Sequence, residues 1–352
     1  MMRILIATDA WTPQVNGVVR SLQNTAREAE GLGAHIEFLT PGDFRTLPMP
    51  TYPEIRLALA TRAMVARRMD EIGADFVHIA TEGPIGLLAR RVCLSRGKTF
   101  TTSYHTRFPE YLAARAPVPQ ALSYAWLRRF HNAGAGIMVS TATLERELHG
   151  RGFHNIMRWS RGVDSTQFRP RPPAEQDALV ASLPRPIFLS VGRVAVEKNI
   201  SAFLDLDLPG SKVVVGDGPA RAELEAKHPA AHFLGLKEGE ALARIYASAD
   251  VFVFPSLTDT FGIVLLEALA SGLPVAAFPV TGPMDVIGEA PHDAPAGVLD
   301  TDLRRAAIGA LDVSRDNARA YALRYSWRAC TQQFLTNIQT AQDRFARLKA
   351  AG

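Results

Sequence analysis

Cysteine is almost absent. Among 352 residues only Cys93 and Cys330 occur, at no motif spacing, so a structural zinc site does not fit and a reducing compartment does. There is no apolar run long enough to span a membrane. Met1-Met2-Arg3 leads directly into a strand-like Ile4-Leu5-Ile6-Ala7, which does not read as a signal peptide. There is no G-x-G-x-x-G, which weighs against a dinucleotide fold, and no G-x-x-x-x-G-K-[ST], so no P-loop. G-x-S-x-G is missing and neither cysteine has a histidine close by in sequence, so catalytic triads fit poorly. No His/Cys/Asp cluster has metal-ligand spacing. The D-x-D strings Asp205-Leu206-Asp207 and Asp300-Thr301-Asp302 read as structural, the second as a helix cap.

What is present is ordinary for a soluble globular protein: 47% apolar and 21% charged residues, with length enough for two domains. The net charge of +4 suits an anionic ligand or an anionic membrane surface. Apolar, β-rich runs alternate with helical spacing in two series. The first covers residues 3–160. Residues 41–53 read as a loop, and residues 163–186, with five prolines, as a linker. The second series starts at residue 186. The expected division is 1–165, rejoined by a long helix 327–352, and 166–326: two Rossmann-like domains facing across a cleft.

The loops after the strands carry the chemistry. The stretch 255–274, PSLTDTFGIVLLEALASGLP, is a loop and helix between two buried strands, with backbone N–H groups at its start near Phe261-Gly262. Glu267 is the one charge in Ile-Val-Leu-Leu-Glu-Ala-Leu-Ala. It either bonds a neighbouring loop or faces solvent, or it accepts two hydroxyls of a ligand ribose. Arg193 and Lys198 follow a strand and a glycine. They fit a diphosphate, or are two solvated charges. Gly17 opens a helix, as a turn glycine or an anion contact. His105 follows a strand end, as a loop residue or a site residue. The helix near residues 119–132 and the one near 61–72 combine basic with apolar residues. The first of these is a core face with a solvated face, or a membrane-surface element.

The chain resembles the retaining glycosyltransferases of family four, which have the GT-B fold. The resemblance is carried by Asn16-Gly17-Val18, Tyr104-His105-Thr106, Arg161-Gly162-Val163-Asp164, Gly192-Arg193 with Glu197-Lys198-Asn199, Gly216-Asp217-Gly218-Pro219, Asp259-Thr260-Phe261-Gly262 with Glu267, and Tyr325-Ser326-Trp327. Asp259 stands where the family pattern has a glutamate. The resemblance implies that Glu267 holds the donor ribose and Asp259 a sugar hydroxyl. It implies that Phe261, Gly262, Ile263 and Val264 present backbone to sugar and phosphates, that Arg193 and Lys198 clamp the diphosphate, and that Gly17 closes on it. His105 would lie beside the transferred sugar, and the loop at Leu236 would hold the base. No metal cofactor and no protein nucleophile are expected.

Residues 77–84, VHIATEGP, together with Thr-Asp-Thr-Phe-Gly resemble one branch. It holds diacylglycerol glycosyltransferases and GDP-mannose-dependent α-mannosyltransferases. The expectation is a UDP-hexose donor and a diacylglycerol acceptor at the cytoplasmic face of the plasma membrane, with no nucleic-acid partner. GDP-mannose transfer to a glycolipid or soluble sugar is the alternative. A nucleotide-sugar-binding regulatory protein and a nucleotide-sugar epimerase are the readings from other classes.

Overall fold

The computed structural model describes residues 1–14, 16–49, 55–113 and 118–351. The chain divides into two compact units, Met1–Arg161 with Trp327–Gly352, and Gly162–Ser326.

The first unit holds β1 (Met2–Ala7), β2 (Ala34–Leu39), the short β3 (Thr46–Pro48) and β4 (Arg56–Ala58), β5 (Phe76–Ile79), β6 (Thr101–Ser103), β7 (Gly136–Val139) and β8 (Ile156–Arg158). Six of these form one parallel sheet in the order β2-β1-β5-β6-β7-β8. Both faces of the sheet are covered, which is why its strands read as unbroken apolar runs. Leu5, Ala7, Val77 and Ile79 pack with Val65, Met69, Ile85 and Val92 of the helices Arg62–Ile72 and Pro84–Ser95. The other face carries the helix Trp327–Ala351, whose Phe334, Ile338 and Ala341 are buried. That helix is tied to the strand β8 exit, where Ser160 N–H donates to Gln333 (2.8 Å) and Asn337 donates to the Arg158 carbonyl (2.7 Å).

The second unit contains β9 (Ile187–Val191), β10 (Ser211–Val215), β11 (His232–Phe233), β12 (Val251–Phe254), β13 (Val275–Ala277) and β14 (Gly297–Leu299). They form a parallel sheet in the order β11-β10-β9-β12-β13-β14. Alternate residues feed two cores: Ile187, Leu189, Phe252 and Phe254 on one side, Phe188, Val214, Val251 and Val253 on the other.

Two sequence expectations are corrected. Residues 163–186 are not a free linker. Val163, Phe168 and Val180 belong to the second unit's core, because apolar side chains between the prolines anchor the segment there. Val163 N–H also donates to the Tyr325 carbonyl (3.2 Å), so the chain enters and leaves this unit side by side. Residues 41–53, read as loop, include a turn of 3-10 helix (Pro41–Asp43) and β3, which pairs antiparallel with β4; residues 50–54 lie outside the described residues.

The glycine-rich loops of the second unit extend the sheet beyond its strands. Gly192 N–H donates to Val215 O (2.9 Å) and Val194 N–H to Asp217 O (2.9 Å). Gly216 (φ +141°) lies so close to this neighbouring backbone that a Cβ on it would stand 1.9 Å from the Gly192 oxygen. Gly216→Ala is therefore expected to cost about 2–4 kcal/mol. Urea denaturation reads this; an unchanged midpoint would show that the loops are not held by this contact.

Candidate functional site

Parallel α/β sheets open a crevice where strand order reverses, because successive connections leave toward opposite faces. In the second unit this point lies between β9 and β12, which are paired neighbours though distant in sequence. The loop after β9 carries Arg193 and, on a short 3-10 turn Val196–Lys198, Lys198. The loop after β12 carries Ser256 to Gly262. The two loops are bridged: Lys198 Nζ meets Asp259 Oδ1 at 2.5 Å, and the Asn199 side-chain amide donates to the Pro255 carbonyl at 3.1 Å. Both members of the ion pair are mostly buried, 23% and 17% exposed. The second carboxylate oxygen, Oδ2, is buried and accepts no hydrogen bond among the described residues. An acceptor held by a cation on one oxygen and open on the other is suited to a ligand hydroxyl.

The helix Ile263–Ala270 begins beside this pair. Its N-cap, Gly262, has φ +85°, a left-handed conformation that glycine adopts without strain, and no side chain caps the first turn. Ile263 and Val264 thus open the helix with uncapped first-turn N–H groups, a setting that favours anions. Phe261 is buried against the core. Glu267 is buried, 3% exposed, and its Oε2 accepts from the Tyr246 hydroxyl at 3.1 Å. It does not face solvent, and its Tyr246 partner sits on the helix Gly239–Ser248. Sequence reading passed over Tyr246, which sits among apolar residues at helical spacing and gives no polar signal.

Leu236, 51% exposed, follows β11. Leu234 N–H and the Gly235 carbonyl are taken up by Val214 O and Gly216 N–H. Neither bond uses Leu236, so its backbone stands outside this extension of the sheet.

In the first unit the corresponding reversal lies between β1 and β5 and is closed by the protein itself. Asp9 accepts from Ile85 N–H (2.8 Å), Gly86 N–H (3.2 Å) and the Thr81 hydroxyl (2.9 Å), capping the helix Pro84–Ser95 from another loop. Gly17 is the first residue of its helix. Asn16 caps that helix, accepting from Val18 and Val19 N–H at 3.0 Å each, so two of its donors are already held. His105 lies just past β6, where its Nδ1 accepts from Arg161 at 3.0 Å. Burial first, and the Arg161 guanidinium second, hold its pKa well below the usual imidazole range.

The two basic-apolar helices differ. On Gln120–His131, Leu122 (65%) and Trp126 (42%) are exposed one turn apart, with Arg128 and Arg129 exposed beside them. On Arg62–Ile72, Arg67 and Arg68 are engaged by Glu71 (3.0 Å) and Asp43 (3.1 Å). The two D-x-D strings serve structure, Asp302 as an N-cap accepting from Arg304 and Arg305 N–H and Asp205 paired with Lys227. Among the described residues no group of three His, Cys, Asp or Glu side chains is placed to share a metal ion. No helix among them is long and apolar enough to cross a membrane.

Comparison with known proteins bears on family and fold. Residues 15–167 match the family described as Glycosyltransferase Family 4, and residues 185–302 match Glycosyl transferases group 1. The chain is 30% identical to the GDP-mannose-dependent alpha-mannosyltransferase of Mycobacterium tuberculosis, over 97% of this chain and 98% of that one. It is 26% identical to the alpha-monoglucosyldiacylglycerol synthase of Streptococcus pneumoniae, over 78% and 71%. Among solved structures, Anabaena Alr3699/HepE, in complex with UDP and glucose, superposes with a TM-score of 0.71 at 15% identity, covering 96% of this chain and 100% of that chain. The chain belongs to the family 4 glycosyltransferases, and its fold is GT-B.

Asp259→Asn keeps the shape of the side chain and removes its charge. Stability should change by no more than about 1 kcal/mol, since the pair is partly solvated, while turnover falls roughly 10- to 150-fold if Asp259 bonds the donor. Equal kcat in the two proteins would remove Asp259 from the site.

Proposed function

We propose that the chain transfers a hexosyl group, with retention of configuration and without a metal ion, from a nucleoside-diphosphate sugar to a lipid-borne hydroxyl at a membrane surface. The observation that carries this reading is the Lys198–Asp259 pair, with its open carboxylate oxygen, at the mouth of an uncapped helix. Arg193, Lys198 and the first turn of the helix Ile263–Ala270 hold the diphosphate and stabilise the charge it gains on leaving. Asp259 Oδ2 receives a sugar hydroxyl, Glu267 the ribose hydroxyls, and Leu236 backbone the base. Gly17 and His105 belong to the same reaction on the first unit. The sugar C1–phosphate oxygen bond breaks and the C1–acceptor oxygen bond forms on one face. The acceptor proton passes to the departing phosphate oxygen, so no protein nucleophile is needed.

GDP-mannose is our first choice of donor, in place of the UDP-hexose favoured by sequence. The support is the mannosyltransferase relative, which is more similar and matched over more of its length than the diacylglycerol enzyme. A UDP-hexose and diacylglycerol are the second reading, favoured by that other relative's name. The lipid acceptor and a peripheral position on a membrane are supported by exposed Leu122 and Trp126 beside Arg128 and Arg129; the cytoplasmic face is part of the proposal.

Radiolabelled GDP-mannose, UDP-glucose, UDP-galactose and UDP-glucuronate, each with glycolipid or diacylglycerol in mixed micelles, test this. Label should enter the lipid phase from GDP-mannose. Label from a UDP-sugar alone selects the second reading, and nucleotide binding with no transfer from any donor returns the regulatory-protein reading. Arg193→Ala leaves phosphate charge unmatched and is expected to cost ~2–5 kcal/mol, roughly 30- to 4,000-fold in kcat/KM. Near-normal turnover would reject the clamp. Anionic vesicles at low salt should bind the protein, and Leu122→Ala with Trp126→Ala should weaken that binding by about tenfold or more; equal binding of the double variant would exclude this helix as the membrane element.

A further inference from the structure

Arg161 is the last residue of the first unit and is buried there, 6% exposed. The residues that hold it are neutral. Its Nη1 donates to the carbonyls of Trp159 and Ser160, both at 2.7 Å, and its Nη2 donates to Nδ1 of His105 at 3.0 Å. The guanidinium carbon lies 4.6 Å over the Trp159 ring. A guanidinium has donors only and keeps its charge in proteins. The His105 Nδ1 facing it must therefore offer a lone pair, and the one ring proton resides on Nε2. We infer that Arg161 is a positioning residue that fixes His105 as the neutral Nε2–H tautomer, so that His105 meets the substrate as a hydrogen-bond donor and never as a base. This inference rests on the reading of His105 as a substrate contact.

The logic inverts the familiar carboxylate–histidine pair. There an acceptor holds Nδ1–H and leaves Nε2 free to take a proton; here a donor holds the Nδ1 lone pair and leaves Nε2 carrying one. A proton on Nδ1 would set two cations against each other in a buried setting. The groups facing His105 from other elements do not reverse this. His78 on β5 is held between the Thr101 and Ser103 hydroxyls, both at 2.9 Å, with its pKa pushed down to about 3 by burial and by Arg161. His131 bonds the Thr102 hydroxyl (2.8 Å), and its Nε2 engages the Glu82 carboxylate (3.0 Å). Trp159 packs edge-on to the His105 ring, 5.7 Å between centroids. On the C-terminal helix Cys330, close to Arg161, has its thiol pushed up to about 11 by burial. A donor role also fits a reaction in which the phosphate, not the protein, takes the acceptor's proton.

Nitrogen-15 NMR of histidine-labelled protein reads the tautomer directly, with His105 assigned by its loss in His105→Gln. The expected result is an unprotonated Nδ1 and a protonated Nε2 throughout about pH 5.5–8, with no titration. An Nδ1–H tautomer, or a titration near pH ~6.5, overturns the inference. Arg161→Gln and Arg161→Lys give a second reading. Once the fixed donor fork is gone, the kcat–pH profile should gain an acid limb near pH ~6.5 that the parent lacks; a profile parallel to the parent overturns it. If these variants fail to fold, the NMR of the unaltered protein still decides. Glutamine places an amide N–H near the Nε2 position, so His105→Gln should transfer at least about tenfold faster than His105→Ala. If His105→Ala transfers as fast as the parent while the tautomer is Nε2–H, the substrate-contact reading fails and the donor role fails with it, leaving the Arg161 bond as a structural one.

Discussion

Two neighbouring parallel strands, β9 and β12, send their loops apart at the edge where the strand order of the second unit reverses. A gap between diverging loops is imposed by topology, and most of the candidate site follows from how that gap is held. Lys198 and Asn199 reach across it to Asp259 and Pro255, and the backbone contacts of Gly192, Gly216 and Gly218 fix the neighbouring loops from the other side. Lys198 would otherwise be a mobile charge on a four-carbon stem. Pairing it with Asp259 spends its freedom before a ligand arrives, which lowers the entropic penalty of placing it. The same topological gap in the first unit is filled by Asp9, whose carboxylate is consumed by the chain's own donors. One sheet thus presents an unfinished set of polar contacts and the other a finished one.

The two units also handle charge differently. In the second, opposite charges face each other across the gap, each mostly buried. In the first, the buried guanidinium of Arg161 is satisfied by carbonyls, an imidazole and an indole face. Desolvation lowers its pKa, to about 10, without discharging it near neutrality. Around it, three strand hydroxyls in succession, those of Thr101, Thr102 and Ser103, point alternately to His78 and His131. The alternation is that of any β-strand, and it places a polar layer under His105 on both sides of the sheet.

Much of this was readable in the sequence. Strands covered on both faces announce themselves as apolar runs, so most strands of both sheets were located within a residue or two. The stretch 255–274 read as the loop and helix it is, and Asp302 was read as a cap, as found. The β3–β4 ribbon was missed because three-residue strands containing Pro48 carry no periodicity. The segment 163–186 was misread because proline density resembles a tether, while its anchors, Val163, Phe168 and Val180, are spaced too irregularly to show a face. Gly216 and Gly218 entered only as part of the family resemblance, and the structure uses them for close backbone packing. Tyr246 and the Arg161–His105 bond join residues 21 and 56 positions apart from their partners, and no local pattern encodes such meetings.

The C-terminal helix, finally, sets an order of events. Its buried face completes the first unit, yet it is made only after all of the second has been synthesised. Until then the nascent chain presents an open apolar strip where Phe334, Leu335, Ile338 and Ala341 will dock. The second unit is under no such delay and can fold as it emerges. A chain ended at residue 326 would therefore have its second unit whole and its first unit sticky. Completion of the first unit is thus a built-in report that translation has passed through the other.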